Sequence, residues 1–136
     1  MTYKKADIRP YRHEDEPLLF GLANLDRGAD ERTIAVLEED TVFVAELAGT
    51  PAGYVALERG ERAVQVEQLF VSPEHEAEGV GRQLLEHAEG WAIAEGAETL
   101  QVIVEPGNKR AFDFYRGRGF VPASAGRLEL VLPRQG

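Results

Sequence analysis

VEQLFVSPEHEAEGVGRQLL, residues 66–85, runs without interruption from strand-forming residues through a short loop into a helix. From Val80 onward the apolar residues Leu84, Leu85, Ala88, Trp91 and Ala92 recur every three or four positions, which predicts a long amphipathic helix. Gly79 and Gly81 stand at its mouth. A helix N-terminus exposes backbone NH groups and a partial positive charge, and glycines let a phosphate approach without a Cβ in the way. The pair therefore suits a diphosphate cradle, but by itself it reads first as a tight turn with close packing. A dinucleotide-binding fingerprint would require a third glycine where Leu84 stands, which disfavours NAD.

Upstream, TVFVAEL, GYVALER and AVQVEQLFV are rich in β-branched and aromatic residues, with turns at AGTPAG and RGER, so three antiparallel strands are predicted. Before them, Ile8 lies in a short first strand. Leu18, Leu19, Leu22 and Leu25 then recur at helical spacing with Pro17 in the first turn. Asp30 can cap a second, short helix in which Ile34 and Leu37 share a face. Downstream, TLQVIV reads as a buried strand, and Pro106, Gly107 and Asn108 separate it from a helix carrying Ala111, Phe112 and Tyr115. Gly119 ends that helix, and RLELVL alternates as a last strand. The order is strand, two helices, three strands, helix, strand, helix, strand, which describes a single mixed α/β domain over residues 1–136.

Composition narrows the function. With 136 residues and 43% hydrophobic side chains, the chain fits one core. Its formal charge of -9 would repel nucleic-acid phosphates and anionic lipid heads. It contains no cysteine, which removes disulfides, thiolate metal sites and the obvious acyl-enzyme nucleophile. His13, His75 and His87 are scattered without metal-ligand spacing, with His87 on the polar face of its helix. MTYKKADIRP lacks the apolar run of a signal peptide, and no apolar stretch approaches the roughly 20 residues that span a bilayer. A soluble, cytoplasmic protein without nucleic-acid or membrane partners is expected.

A second motif lies at residues 108–120, NKRAFDFYRGRGF, which has the pattern NxxAxxFYxxxGF. With LFVSPxxxxxGVGRQLL upstream, it resembles the two CoA-binding motifs of the GNAT superfamily of N-acetyltransferases, in the same order and separated by a strand. The element order matches that family over nearly the whole chain. The resemblance implies a GNAT fold: a mixed sheet of about six or seven strands with about four helices, its two central strands splayed around a CoA site. It further implies acetyl-CoA as cosubstrate, with contacts from Leu69, Phe70 and Val71, from Ala77, Glu78, Gly79, Val80, Gly81 and Arg82, and from Asn108, Ala111 and Tyr115.

The same residues have plainer readings. Asn108 is also a good helix cap, and Phe112 and Tyr115, three apart, would ordinarily be core. The resemblance makes Tyr115 the acid that protonates the departing thiolate, and a phenol is protonated at neutral pH as that task needs. Glu67, on the strand leading to the cradle, is the candidate base for the attacking ammonium, or a solvent-facing Glu in an alternating strand. A backbone NH near Val71 could hold the thioester oxygen if the strand bulges or splays there.

One departure from the family pattern concerns charge. Glu76 and Glu78 replace the Arg or Gln and the basic residue usual before the first glycine, with Glu74 close by. Carboxylates beside a pyrophosphate repel it unless they point into solvent. Arg82 offsets them in part, and Lys109 and Arg110 are either solvated or matched to the CoA 3′-phosphate. Two functions follow as expectations. The first is an N-acetyltransferase moving acetyl from acetyl-CoA to a small-molecule or protein amine by direct attack in a ternary complex. The second is a GNAT-fold binding or regulatory module, weak or inactive in catalysis, whose CoA loop is impaired. The family often dimerises, and RLELVL offers an edge for a homodimer.

Overall fold

The computed structural model describes residues 5–19, 21 and 40–133. The strands are β1 (Asp7–Pro10), β2 (Thr41–Leu47), β3 (Thr50–Arg59), β4 (Ala63–Val71), β5 (Thr99–Ile103), β6 (Val121–Pro122) and β7 (Arg127–Val131). The helices are α1 (Val80–Ala94) and α2 (Lys109–Gly117); residues 16–19 are also helical. The mixed seven-stranded sheet has the order β1-β2-β3-β4-β5-β7-β6. Among the described residues the predicted strands and the two later helices follow in the expected order; β6, too short for a periodicity to reveal, is added, as are 3-10 segments at His13–Asp15 and Pro73–Glu78. Leu22, Leu25 and the predicted helix from Asp30 lie outside the described residues.

The chain divides into two compact units, Met1–Leu57 with Gln68–Ala88, and Glu58–Glu67 with Glu89–Gly136. In the first, β1 and β3 both pair antiparallel with β2, Ile8 standing opposite Ala45 and Val44 opposite Tyr54. The β2–β3 turn is tighter than AGTPAG suggested. Ala48 and Gly49 both take positive φ, 52° and 81°, and Thr50 already pairs with Leu47. Two successive left-handed residues match the twist of the flanking strands, so the loop needs only two residues. Val42, Val44, Tyr54, Ala56 and Phe70 form one buried cluster with Leu19. Between Val42 and Val44, Phe43 points to the opposite face and meets the ring of His87 edge to face, centroids 4.4 Å apart. His87, expected on the polar face of its helix, is half-buried against this aromatic ring.

An ion cluster ties the N-terminal segment to the sheet. The Arg9 guanidinium donates to both oxygens of Asp15 at 2.8 Å and to Glu46 at 3.1 Å, and the Arg12 N–H also donates to Asp15. The hydrogen bonds from Arg9 hold the Asp15 carboxyl below its ordinary value of 3.8, against the opposing effect of burial. Burial likewise lowers His87 from 6.5. In both cases the unfolded chain binds more protons, so stability rises with pH. His87 contributes its loss as pH falls below about 6.5, and Asp15 as pH falls from its ordinary value through its lowered one. The urea midpoint is expected to fall between pH about 7 and about 5 in the wild type and to fall less in His87→Gln. The further loss below pH about 4 should shrink in Asp15→Asn.

In the second unit, Ala63–Val66 of β4 pair parallel with Thr99–Val102 of β5, and β5 pairs antiparallel with β7. Leu100, Val102, Phe120 and Leu128 are buried. TLQVIV is not buried throughout as expected. Leu100 and Val102 point inward, but Thr99 and Gln101 are half-buried and Ile103 is exposed, because β5 alternates like a strand with one covered face. RLELVL is also not a free edge. β7 meets β5 on one side, and β6 pairs with its Leu128 and Glu129 on the other. No described helix is long and apolar enough to cross a membrane.

Candidate active site

In the first unit, β4 ends at Leu69, Phe70 and Val71 and passes into Ser72, which is buried. The Ser72 N–H donates to the Ala52 carbonyl, and its own carbonyl accepts from His75 N–H, both at 2.8 Å. That second bond opens a 3-10 segment of two turns over Pro73–Glu78, with Pro at its first position where a missing N–H costs nothing. Ala77 and Glu78 belong to this segment. Gly79 closes it in the left-handed region, φ 81° and ψ 10°, a conformation that a Cβ would oppose. α1 starts at the next residue, its first bond running from Gln83 N–H to the Gly79 carbonyl at 3.1 Å. Val80, Gly81 and Arg82 thus form the first turn of a 15-residue helix, the end that carries the partial positive charge.

The acidic loop is less hostile to an anion than its sequence suggested. Glu74 and Glu76 are exposed, where solvent screens them. The Glu78 carboxylate lies 2.7 Å from His75 Nδ1, both residues half-buried. Arg82 Nε stands 3.8 Å from Glu86. Two neighbours passed over in the sequence matter here. Gly53 lies so close to β4 that a Cβ would sit 2.4 Å from the Phe70 carbonyl oxygen. Gln83 is buried on a helix face that polarity alone would have placed outside.

In the second unit, Glu67 is half-buried on β4, one residue past the last β5 pair, Val66 with Val102. Asn108 caps α2, its side-chain oxygen accepting the Ala111 N–H at 3.2 Å. The cap uses the oxygen and leaves the NH2 as the group suited to a ligand carbonyl. Tyr115 is 6% exposed, its ring edge to face with Phe114 and Phe120 at 5.2 and 5.3 Å. Phe112 departs from the core expectation: it is 39% exposed and walls a groove of about 450 Å³ with Val104, Pro106, Pro122 and Leu128. Lys109 pairs with Asp113 on its own helix, and Arg110 is exposed. The groove joins the β5–α2 loop to the β6–β7 turn, segments too far apart in sequence to be associated beforehand.

The model of the acetyltransferase (GNAT) family matches residues 5–120. The chain belongs to that family. Among solved GNAT-fold structures, the ribosomal-protein-S18-alanine N-acetyltransferase from Escherichia coli superposes with a TM-score of 0.82 at 21% identity, covering 97% of each chain. A GNAT family acetyltransferase from Elizabethkingia anophelis with acetyl-CoA bound gives 0.80 at 16% identity, over 93% of this chain and 98% of that one. At these identities the likeness concerns the fold. An uncharacterized N-acetyltransferase of Methanocaldococcus jannaschii is 33% identical over 91 residues, 61% of this chain and 40% of its own length. The GNAT chain thus spans about two-fifths of the length of that relative.

Proposed function

We propose that this GNAT chain is a cytoplasmic N-acetyltransferase that moves an acetyl group from acetyl-CoA to an amine by direct attack within a ternary complex. The observation that carries the reading is the left-handed Gly79 opening directly onto the N-terminus of α1, with Glu74 and Glu76 in solvent and Glu78 held by His75. This arrangement suits a pyrophosphate, since backbone NH groups and the helix dipole supply the attraction and no carboxylate need face it. In this reading Ala77, Glu78, Gly79, Val80, Gly81 and Arg82 hold the pyrophosphate, and the backbone of Leu69, Phe70 and Val71 lies along the pantetheine. Asn108 and Ala111 contribute further contacts from α2.

Acetyl-CoA supplies the activated acyl group as a thioester. The chain supplies proton transfers and orientation. Glu67 accepts the proton that makes the amine nucleophilic, directly or through a water. The Val71 N–H steadies the carbonyl oxygen as negative charge develops, and the Tyr115 hydroxyl gives its proton to the departing sulfur. The acceptor is a small-molecule or protein amine, and the acidic chain, with its charge of -9, is compatible with a cationic one. The family match does not favour the non-catalytic module.

Calorimetric titration with acetyl-CoA at two salt concentrations tests this without knowledge of the acceptor. A Kd of about micromolar, weakening modestly with salt, is the expected result. A folded protein that binds no acetyl-CoA at either salt would refute the reading.

A further inference from the structure

Gln83 is 8% exposed, which is unusual for an amide side chain on a helix bearing solvent-facing residues. Its side chain joins two segments far apart in sequence. Oε1 accepts the Ala6 N–H at 2.9 Å, and Nε2 donates to the Gly79 carbonyl at 3.2 Å. Both partners have fixed character, one only a donor and the other only an acceptor, so the orientation of the amide is determined. The Gly79 carbonyl thereby receives two hydrogen bonds from one residue, the second from the Gln83 backbone N–H at 3.1 Å.

The consequence lies in the peptide plane. No peptide in the described chain is cis, so the Gly79 carbonyl and the Val80 N–H point in opposite directions across one rigid unit. Glycine at φ 81° has soft neighbouring torsions, and a single helical hydrogen bond leaves that plane free to rock. We infer that Gln83 is a positioning residue: by clamping the Gly79 carbonyl it aims the Val80 N–H out of the helix N-terminus, toward the phosphates. The inference rests on the acetyl-CoA reading above. Gln83 touches no ligand in this scheme; it acts through the bond from its Nε2 to the Gly79 carbonyl.

The test compares acetyl-CoA affinity in the wild type, Gln83→Met and Ala6→Pro, with thermal midpoints measured alongside. Gln83→Met keeps the length of the side chain and removes both bonds, and it should raise Kd about five- to tenfold. Ala6→Pro removes only the strand-side donor; it should lower the midpoint and leave Kd within about twofold. Gln83→Glu keeps the acceptor for Ala6 and lacks the donor to Gly79, so it stands in if either variant fails to fold. Its loss of affinity should persist at high salt, where charge repulsion is screened. Unchanged affinity in Gln83→Met or Gln83→Glu, or an equal loss in Ala6→Pro, would overturn the inference. Absence of binding in the wild type would instead defeat the acetyl-CoA reading.

Discussion

Tyr115→Phe is expected to lower kcat for acetyl transfer about a hundredfold while leaving the acetyl-CoA Kd nearly unchanged. Removal of a positioned general acid typically forfeits a factor of about 10² to 10⁴. The lower end applies because a thiolate is a fair leaving group without help. Phe retains the ring packed between Phe114 and Phe120, so the buried aromatic cluster at the end of α2 survives. The split between kcat and affinity separates a proton donor from a core residue: a purely structural Tyr would show up in the thermal midpoint, with kcat preserved. Activity that stays at the wild-type level in the folded variant would remove Tyr115 from the mechanism. The rate should also become sensitive to the pKa of the leaving thiol once its proton donor is gone.

Gly53→Ala is the second large effect, this time on stability. The added Cβ would meet the Phe70 carbonyl oxygen at 2.4 Å and the Val71 Cα at 3.2 Å. Both are main-chain atoms that cannot rotate aside, so β3 and the end of β4 must part. Overpacking of that kind costs about 3 kcal/mol. Because Phe70 and Val71 form the strand end assigned to the pantetheine, affinity for acetyl-CoA should fall with stability. Gly90→Ala supplies the control. Gly90 sits inside α1 with nothing within 4 Å of a built Cβ, so Ala there should stabilise by about 0.5–1 kcal/mol through helix propensity. Urea denaturation of the two variants reads both signs. Equal and small changes would mean that β3 and β4 are not as close at Gly53 as the structure places them.

Much of the architecture was legible in the chain because the deciding signals are local. Val80, Leu84, Leu85, Ala88 and Ala92 recur at helical spacing, and all are fully buried on α1. Asn108 caps α2, as its place before KRAFDFY implied, and Gly119 with φ 97° closes the turn beyond the helix. Gly79 was read as permissive and takes a left-handed conformation. Side-chain chemistry was less legible. Phe112 and Tyr115 share a spacing that marks both as core, yet Phe112 is exposed and Tyr115 is not. Periodicity reports which residues share a face; it does not report what stands opposite them or how far the covering layer extends.

What the amino-acid sequence determined by itself is therefore the longer elements among the described residues, their order and the two glycine- and asparagine-marked helix entrances on which the family resemblance rests. These depend on backbone torsions and on apolar spacing within a few residues, both of which are written in consecutive positions. Only the tertiary structure decided that Gly53 must be glycine, that Glu78 lies against His75, that Gln83 is buried between Ala6 and Gly79, and that β6 lies outside β7. Two of these, at Gly53 and Gln83, depend on atoms brought within a few ångströms from distant strands and loops, and β6 is too short to show a period of its own. The Glu78–His75 contact, though local, depends on a 3-10 segment held by Ser72 against Ala52 on a neighbouring strand. A sequence carries the donor, the acceptor and the missing Cβ, and folding alone sets the distances between them.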